Sequence, residues 1–347
     1  MIDTHVHLIG ESTGARVDFL TWPLTTRAEE RVLHGLANAR QALAAGITTL
    51  RDLAADDVQF SLRRALDAGV VPGPRLLAHG MVGMTGGHAD LFTPPAIVER
   101  PPVADGPDAC RRLVRHWGRA GADGIKIATS GGVLSVGDRP SWRGYTRDEI
   151  AAIIDEAHAL GMRVAAHAHS EAGIEVAIVE GVDSIEHGTL ITSDQAVRAA
   201  AAGVTVAPTL LINDRIAQGR GASTEQTGKA RELVAQRDER LRAAAGLGVD
   251  FVLGTDANGF HVRLGEQAAE LRRMAQVLGW SPERTLAAAT SRAADAIGRP
   301  DLGRLAPGAK ADLLIVAGRP WEDLDALRPE RMVAVICRGE VVAGALP

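Results

Sequence analysis

Two textures alternate along the chain. Segments rich in Ala, Leu, Arg and Glu read as helices, each ends at a glycine, and a short apolar, β-branched run follows within a few residues. The pattern recurs in ARQALAAGITTL at Gly46, ALDAGVVPGPRLLA at Gly69, WGRAGADGIKIA at Gly121, AHALGMRVAAHA at Gly161, AIVEGVDSIEH at Gly181, RAAAGVTVAP at Gly203 and AAGLGVDFVLG at Gly248. A glycine just past the last helical turn takes the left-handed conformation at little cost and suits the tight loops of parallel folds. With the opening run Ile2 to His7, the pattern predicts eight strands. Strands alternating with helices pair in parallel through right-handed crossovers, and eight units over this length predict an α/β fold of the (β/α)8 TIM-barrel type. The rival is an open doubly wound sheet, but a Gly-rich phosphate loop normally follows its first strand and none follows here.

Local signals agree. Thr146 with Glu149 forms a capping box, and Ser281-Pro282-Glu283 sets a proline in the first turn of another helix. From Leu302 the texture changes: Pro/Gly turns separate short β runs, which predicts a small antiparallel sheet. We therefore expect a barrel over residues 1–298 and an incomplete β-sandwich over 299–347.

Composition narrows the partners. A net charge of −5, with one Tyr, five Phe and five Trp, offers neither a basic field nor stacking platforms for nucleic acid, so a small-molecule substrate is expected. No apolar run approaches a membrane span, and no basic segment leads into an apolar one at the N-terminus, so the expected setting is cytoplasmic, with no membrane partner and a homo-oligomer left open. Cys110 and Cys337 lie far apart in such a chain, and no structural disulfide is expected.

The chemistry stands at the strand ends. In GADGIKIATSGG, residues 121–132, Lys126 interrupts an apolar run between Ile125 and Ile127. A buried ammonium without a partner costs several kcal/mol, so such a lysine snorkels, pairs with a carboxylate or loses its charge. On its own it could simply reach solvent. In a parallel barrel, side chains at C-terminal strand ends converge on one mouth. Those ends carry His5 and His7 on the first strand, Lys126 on the fourth, His167 on the fifth, His187 on the sixth and Asp256 on the eighth. Each has an ordinary explanation as an exposed ring, a core histidine or a cap, but their joint placement points to a metal site. Residues i and i+2 of a strand face the same way, so His5 and His7 can grip one ion. Imidazole with carboxylate suits zinc and related divalent ions.

Taken together, IDTHVHL, GIKIATSGG, AAHAHS, SIEHGT, GTDA and the tail segment GRLAPGAKADLLIV resemble the amidohydrolase superfamily, on the branch of prolidases (Xaa-Pro dipeptidases) and imidazolonepropionase-like hydrolases. The resemblance implies two divalent cations, zinc first among the choices, with Lys126 carrying carbon dioxide as a carbamate between them. His5, His7 and Asp256 would hold one ion, and His167 and His187 the other. It further implies a metal-dependent hydrolase that cleaves an amide-like C–N bond in a dipeptide such as Xaa-Pro or in an N-acyl amino acid. Paired ions acidify the water between them so that hydroxide attacks, and Asp256 moves the proton to the leaving amine. Two alternatives stand beside this. One is a mononuclear deaminase, or a cyclic-amide, urea, carbamate or lactone hydrolase, with Lys126 unmodified. The other is an inactive binding homologue, which the six filled ligand positions disfavour.

Substrate contacts are sparser. His88 follows two glycines in GMVGMTGGHADL, similar to the Gly-Gly-His that steadies the substrate carbonyl in prolidase-like relatives, although a flexible loop with an exposed histidine reads the same way. His169 shares a face with His167 farther out; Arg143 and Tyr145 could meet a substrate carboxylate, Tyr145 more naturally as a structural residue; His261 could line the pocket. His34, His116 and His158 lie in helical segments and are expected in solvent, while His79 is left open. Relatives carry several tens of residues ahead of the His-x-His strand, whereas Met1 here stands directly before it. Either the start lies upstream or the tail pairs with another subunit; otherwise Leu313, Ile315, Val333 and Val335 would be exposed.

Overall fold

The computed structural model describes residues 1–98 and 100–346. Eight strands, β1 (Ile2–Val6), β2 (Thr49–Ala55), β3 (Arg75–Met81), β4 (Gly124–Ala128), β5 (Arg163–Ala168), β6 (Ser184–His187), β7 (Thr205–Ala207) and β8 (Asp250–Phe251), pair in parallel in chain order. β1 then meets the segment that follows β8: Thr4 N–H donates to Leu253 O and Asp256 N–H to His5 O, each at 2.8 Å. This closes the barrel and removes the sheet's edges. All seven glycines singled out by the pattern have positive φ, between 70° and 93°. The capping box at Thr146 forms, and Ser281 caps the proline-led helix Pro282–Ala288.

Alternation along β4 fixes the direction of its lysine. Ile125 and Ile127 are fully buried in the apolar core. Lys126, between them, therefore projects to the other face, into the barrel. It does not reach solvent: only 4% of it is accessible.

The tail forms β9 (Leu313–Val316), β10 (Met332–Cys337) and β11 (Glu340–Gly344), an antiparallel sheet with β10 in the middle. One expectation needs correction. Val335 is not exposed; it is 1% accessible and packs with Cys337, Leu314 and Ala343 against Leu43 of the helix Ala28–Ala44. The barrel's own helix covers that face, leaving Leu313, Ile315 and Val333 half-buried. Cys110 and Cys337 are free and buried.

Candidate metal centre

At the C-terminal mouth two donor sets face each other, His5 with His7 and Asp256, and His167 with His169 and His187. Nε2 of His7 lies 3.1 Å and Nε2 of His5 3.6 Å from Asp256 Oδ1. His187 Nε2 is 2.9 Å from His167 Nδ1, and the rings of His5 and His187 are 5.4 Å apart, so the two sets adjoin. Lys126 points into the same space, and its charge acts on His5, His167, His187 and Asp256 alike.

Backbone strain is concentrated here. Among the described residues four non-glycines have positive φ, and three of them are His187 at 73°, Thr209 at 45° and Asp256 at 56°. Such conformations cost about 1–3 kcal/mol each and persist where the surroundings impose them. Thr209 is coupled to His187 directly, its Oγ1 lying 2.6 Å from His187 Nδ1.

Partners on the far nitrogens aim the near ones. Gly131 O sits 3.2 Å from His167 Nε2; a carbonyl can only accept, so that nitrogen carries the proton and Nδ1 offers a lone pair. Glu186 Oε2 lies 2.9 Å from His5 Nδ1, a close carboxylate–imidazole contact that is not aligned as a hydrogen bond. Burial, reinforced by neighbouring imidazoles, holds His167 and His187 well below the usual histidine range. Burial and then the Lys126 charge bring His5 down to about 4. All three are thus neutral donors near pH 7. Burial also pulls the Lys126 amine down to about 8, against the opposing pull of Glu186 and Asp256. A buried array of imidazole lone pairs and one carboxylate fits a divalent cation by donor type.

Beneath the mouth, Arg51 is fully enclosed. Its Nε donates to Thr4 O at 2.5 Å, and its terminal nitrogens reach Ser184 Oγ at 3.2 Å and Glu186 Oε1 at 2.8 Å. Burial opposes ionisation of Glu186, but Arg51 and then His5 overcome it and hold the carboxyl well below its usual range. Arg51→Met leaves this carboxylate buried without its cation. The expected loss is about 3–5 kcal/mol in chemical denaturation, and a loss below about 1 kcal/mol would show that the pair carries little.

His88 sits on the other side, its ring stacked on His167 with centroids 4.2 Å apart. Gly132 makes room, since a Cβ there would fall 1.9 Å from His88 Cε1. Ser135 Oγ lies 2.7 Å from His88 Nδ1 and 2.7 Å from both Asp138 oxygens. Lys229 Nζ, from the helix Thr224–Gly246, is 3.0 Å from Asp138 Oδ1. No spacing rule links Ser135 and Asp138 to His88 or Lys229, or Arg51 to Glu186, so far apart along the chain, although Glu186 itself stands within the segment SIEHGT.

The remaining candidates divide. His169 joins the imidazole cluster, stacked on His187 at 4.4 Å with Nδ1 2.7 Å from Thr189 Oγ1. His261 is buried beside the mouth, with Nε2 3.1 Å from Gly221 O. Tyr145 is buried and donates to Val82 O, a structural role, while Arg143 is exposed. His79 is buried inside the barrel against Gly124. His116 and His158 are exposed, but His34 is half-buried, its Nδ1 2.9 Å from Ser12 Oγ and its ring edge-on to Trp22.

Known proteins share this architecture. The chain is 29% identical over 363 residues to the ochratoxinase of Aspergillus niger, which covers 97% of this chain and 73% of that protein. It is 32% identical over 174 residues to the imidazolonepropionase of Paracoccus denitrificans, 49% of this chain and 39% of that one. A crystal structure of a Xaa-Pro dipeptidase with methionine in its active site superposes with a TM-score of 0.89 at 31% identity, covering 98% of this chain and 85% of that one. No helix among the described residues is long and apolar enough to cross a membrane. With the amidohydrolase family profile matching residues 1–342, the chain belongs to the amidohydrolase family, on its prolidase-like branch, and is a hydrolase acting on carbon–nitrogen bonds.

Proposed function

We propose that the chain is a binuclear metal-dependent hydrolase that cleaves an amide-like bond in a small substrate, a dipeptide or an N-acyl amino acid. The observation that supports this is the pair of adjoining donor sets at the mouth, with Lys126 buried on the inward face of β4. His5, His7 and Asp256 would hold one ion and His167 and His187 the other, with zinc suited to the donor set. Lys126, whose burial favours the neutral amine, would take up carbon dioxide and become an anionic carbamate shared by both sites. When bound, the cations supply Lewis acidity to water and to the scissile carbonyl.

The chain's own residues do the rest. Asp256 is held ionised and can carry a proton from water to the leaving amine. His88, aimed by Ser135, faces the carbonyl oxygen, while Asp138 and Lys229 fix Ser135 in turn. The ochratoxinase and Xaa-Pro dipeptidase relatives support an amide substrate. Asp138→Asn removes the charge that anchors Ser135, and a loss of about 10- to 100-fold in kcat/KM is expected, measured on any substrate found, together with a lowered melting temperature, because Lys229 loses the carboxylate it is buried against.

Metal-stripped protein titrated with zinc, cobalt or manganese should cleave members of a panel of Xaa-Pro and Xaa-Arg dipeptides, acylated amino acids, ureas and lactones. Two ions per chain and a carbamate on Lys126, read by carbon-13 NMR of the native protein equilibrated with labelled bicarbonate, are expected; no hydrolysis of any member would sink the proposal. A mononuclear reading has one observation in its favour, since His167, His169 and His187 form a three-nitrogen set without Lys126. One ion per chain and an unmodified lysine would select it.

A further inference from the structure

Aromatic residues are scarce in this chain, yet three of its five phenylalanines meet beside the centre. Phe19, Phe92 and Phe260 come from the loops after β1, β3 and β8, the strands that also lead to His7, His88 and Asp256. The Phe19 ring packs edge-on to Phe92 at 5.6 Å, to Phe260 at 5.3 Å and to His261 at 5.6 Å between centroids. Phe92 lies 4.9 Å from His88, which stacks on His167. A continuous aromatic surface therefore runs from the metal-facing imidazoles outward along one side of the mouth.

The other two phenylalanines show what an ordinary core position looks like here. Phe60 and Phe251 are fully buried, whereas Phe19, Phe92 and Phe260 each keep part of their surface open. Rings left partly in water beside a reactive centre present faces and edges that a further ring can complete in offset or edge-to-face contact.

We propose that Phe19, Phe92 and Phe260 form a subsite for one side of the scissile amide, and that the preferred substrates carry a phenyl-sized apolar group on that side. The inference rests on the amide-hydrolase reading of the centre and names its substrate class. A phenyl group in place of a methyl buries several further carbons, and about 30-fold tighter binding is expected.

Calorimetry on the zinc-loaded protein compares phenylalanine with alanine, products that carry no scissile amide, a readout that needs no turnover. Hydrolysis of Phe-Ala, Ala-Phe, Ala-Ala and N-acetyl-phenylalanine is followed in parallel. Phe19→Ala should lose most of the aromatic preference, and Phe19→Leu, which keeps bulk without ring edges, should retain part of it. Aromatic and methyl ligands binding within about threefold in the wild type would overturn the subsite. So would Phe19→Leu and Phe92→Leu that both keep the full preference. An aromatic preference in binding without cleavage of any of these peptides or of N-acetyl-phenylalanine leaves the subsite standing and removes the proposed dipeptide and N-acyl substrate class instead.

Discussion

Lys126→Ala is expected to lower kcat/KM by about 10³-fold or more, because under the proposed binuclear reading it would remove an anionic ligand between two cations and forfeit several kcal/mol of electrostatic stabilisation. The substitution also leaves a cavity at the base of the mouth. Formate or acetate should enter it and restore part of the activity and of the metal content, since a carboxylate matches the charge and shape of the carbamate. Undiminished turnover in the variant would remove Lys126 from the chemistry. The metal-free protein provides a second check that needs no substrate. The amine titrates near 8 in the folded state against 10.5 for an ordinary lysine, burial being the main cause. Below pH 8 both states bind the proton and the burial penalty is present in full. From pH 8 to 10.5 the folded state has released the proton and the unfolded state has not, so stability rises with pH across that window. The gain is about 3 kcal/mol at its limit. Lys126→Met should abolish this rise in pH-dependent denaturation curves.

Asp256→Asn is expected to cost about 10²- to 10⁴-fold in kcat, the range for removing a positioned proton carrier. Asparagine is the informative choice. Asp256 sits at a φ of 56°, a left-handed conformation that asparagine adopts with little penalty, so the backbone can stay in place while the charge is lost. Burial works to raise the Asp256 carboxyl, but His5, His7 and Lys126 outweigh it and hold it at about 2. Its stabilising contribution is therefore complete above the ordinary value of 3.8 and is lost as pH falls through about 2. Denaturation of the metal-free wild type and variant should differ at pH 6 and converge toward pH 2. Equal kcat in the two proteins would mean that another group carries the proton.

Much of this was legible because it is written in local order. Glycine after a helical stretch needs no tertiary information to be read as a stop, and all seven such glycines adopt the conformation that role requires. Strand count and parallel order follow from the same punctuation. The strand-end residues were legible for the same reason: a fixed period of two along each strand, with every strand starting from the same floor, brings His5, His167, His187 and Lys126 to one mouth.

Other features have no local trace. Val335 looks like an exposed sheet residue until the helix Ala28–Ala44 is seen to cover it. Arg51 reads as one arginine among many, yet it lies inside the barrel because Glu186, 135 positions away, offers it a carboxylate. His88 meets Ser135, and Lys229 meets Asp138, through two loops and a helix whose mutual placement no periodicity specifies. The sequence alone determined the barrel, its strand order and the residues that face its mouth, because each depends on spacing between near neighbours. Only the tertiary structure decided which partners fix those residues, the strain at His187 and Asp256, and the aromatic wall beside them, because each depends on distances between loops that are remote along the chain.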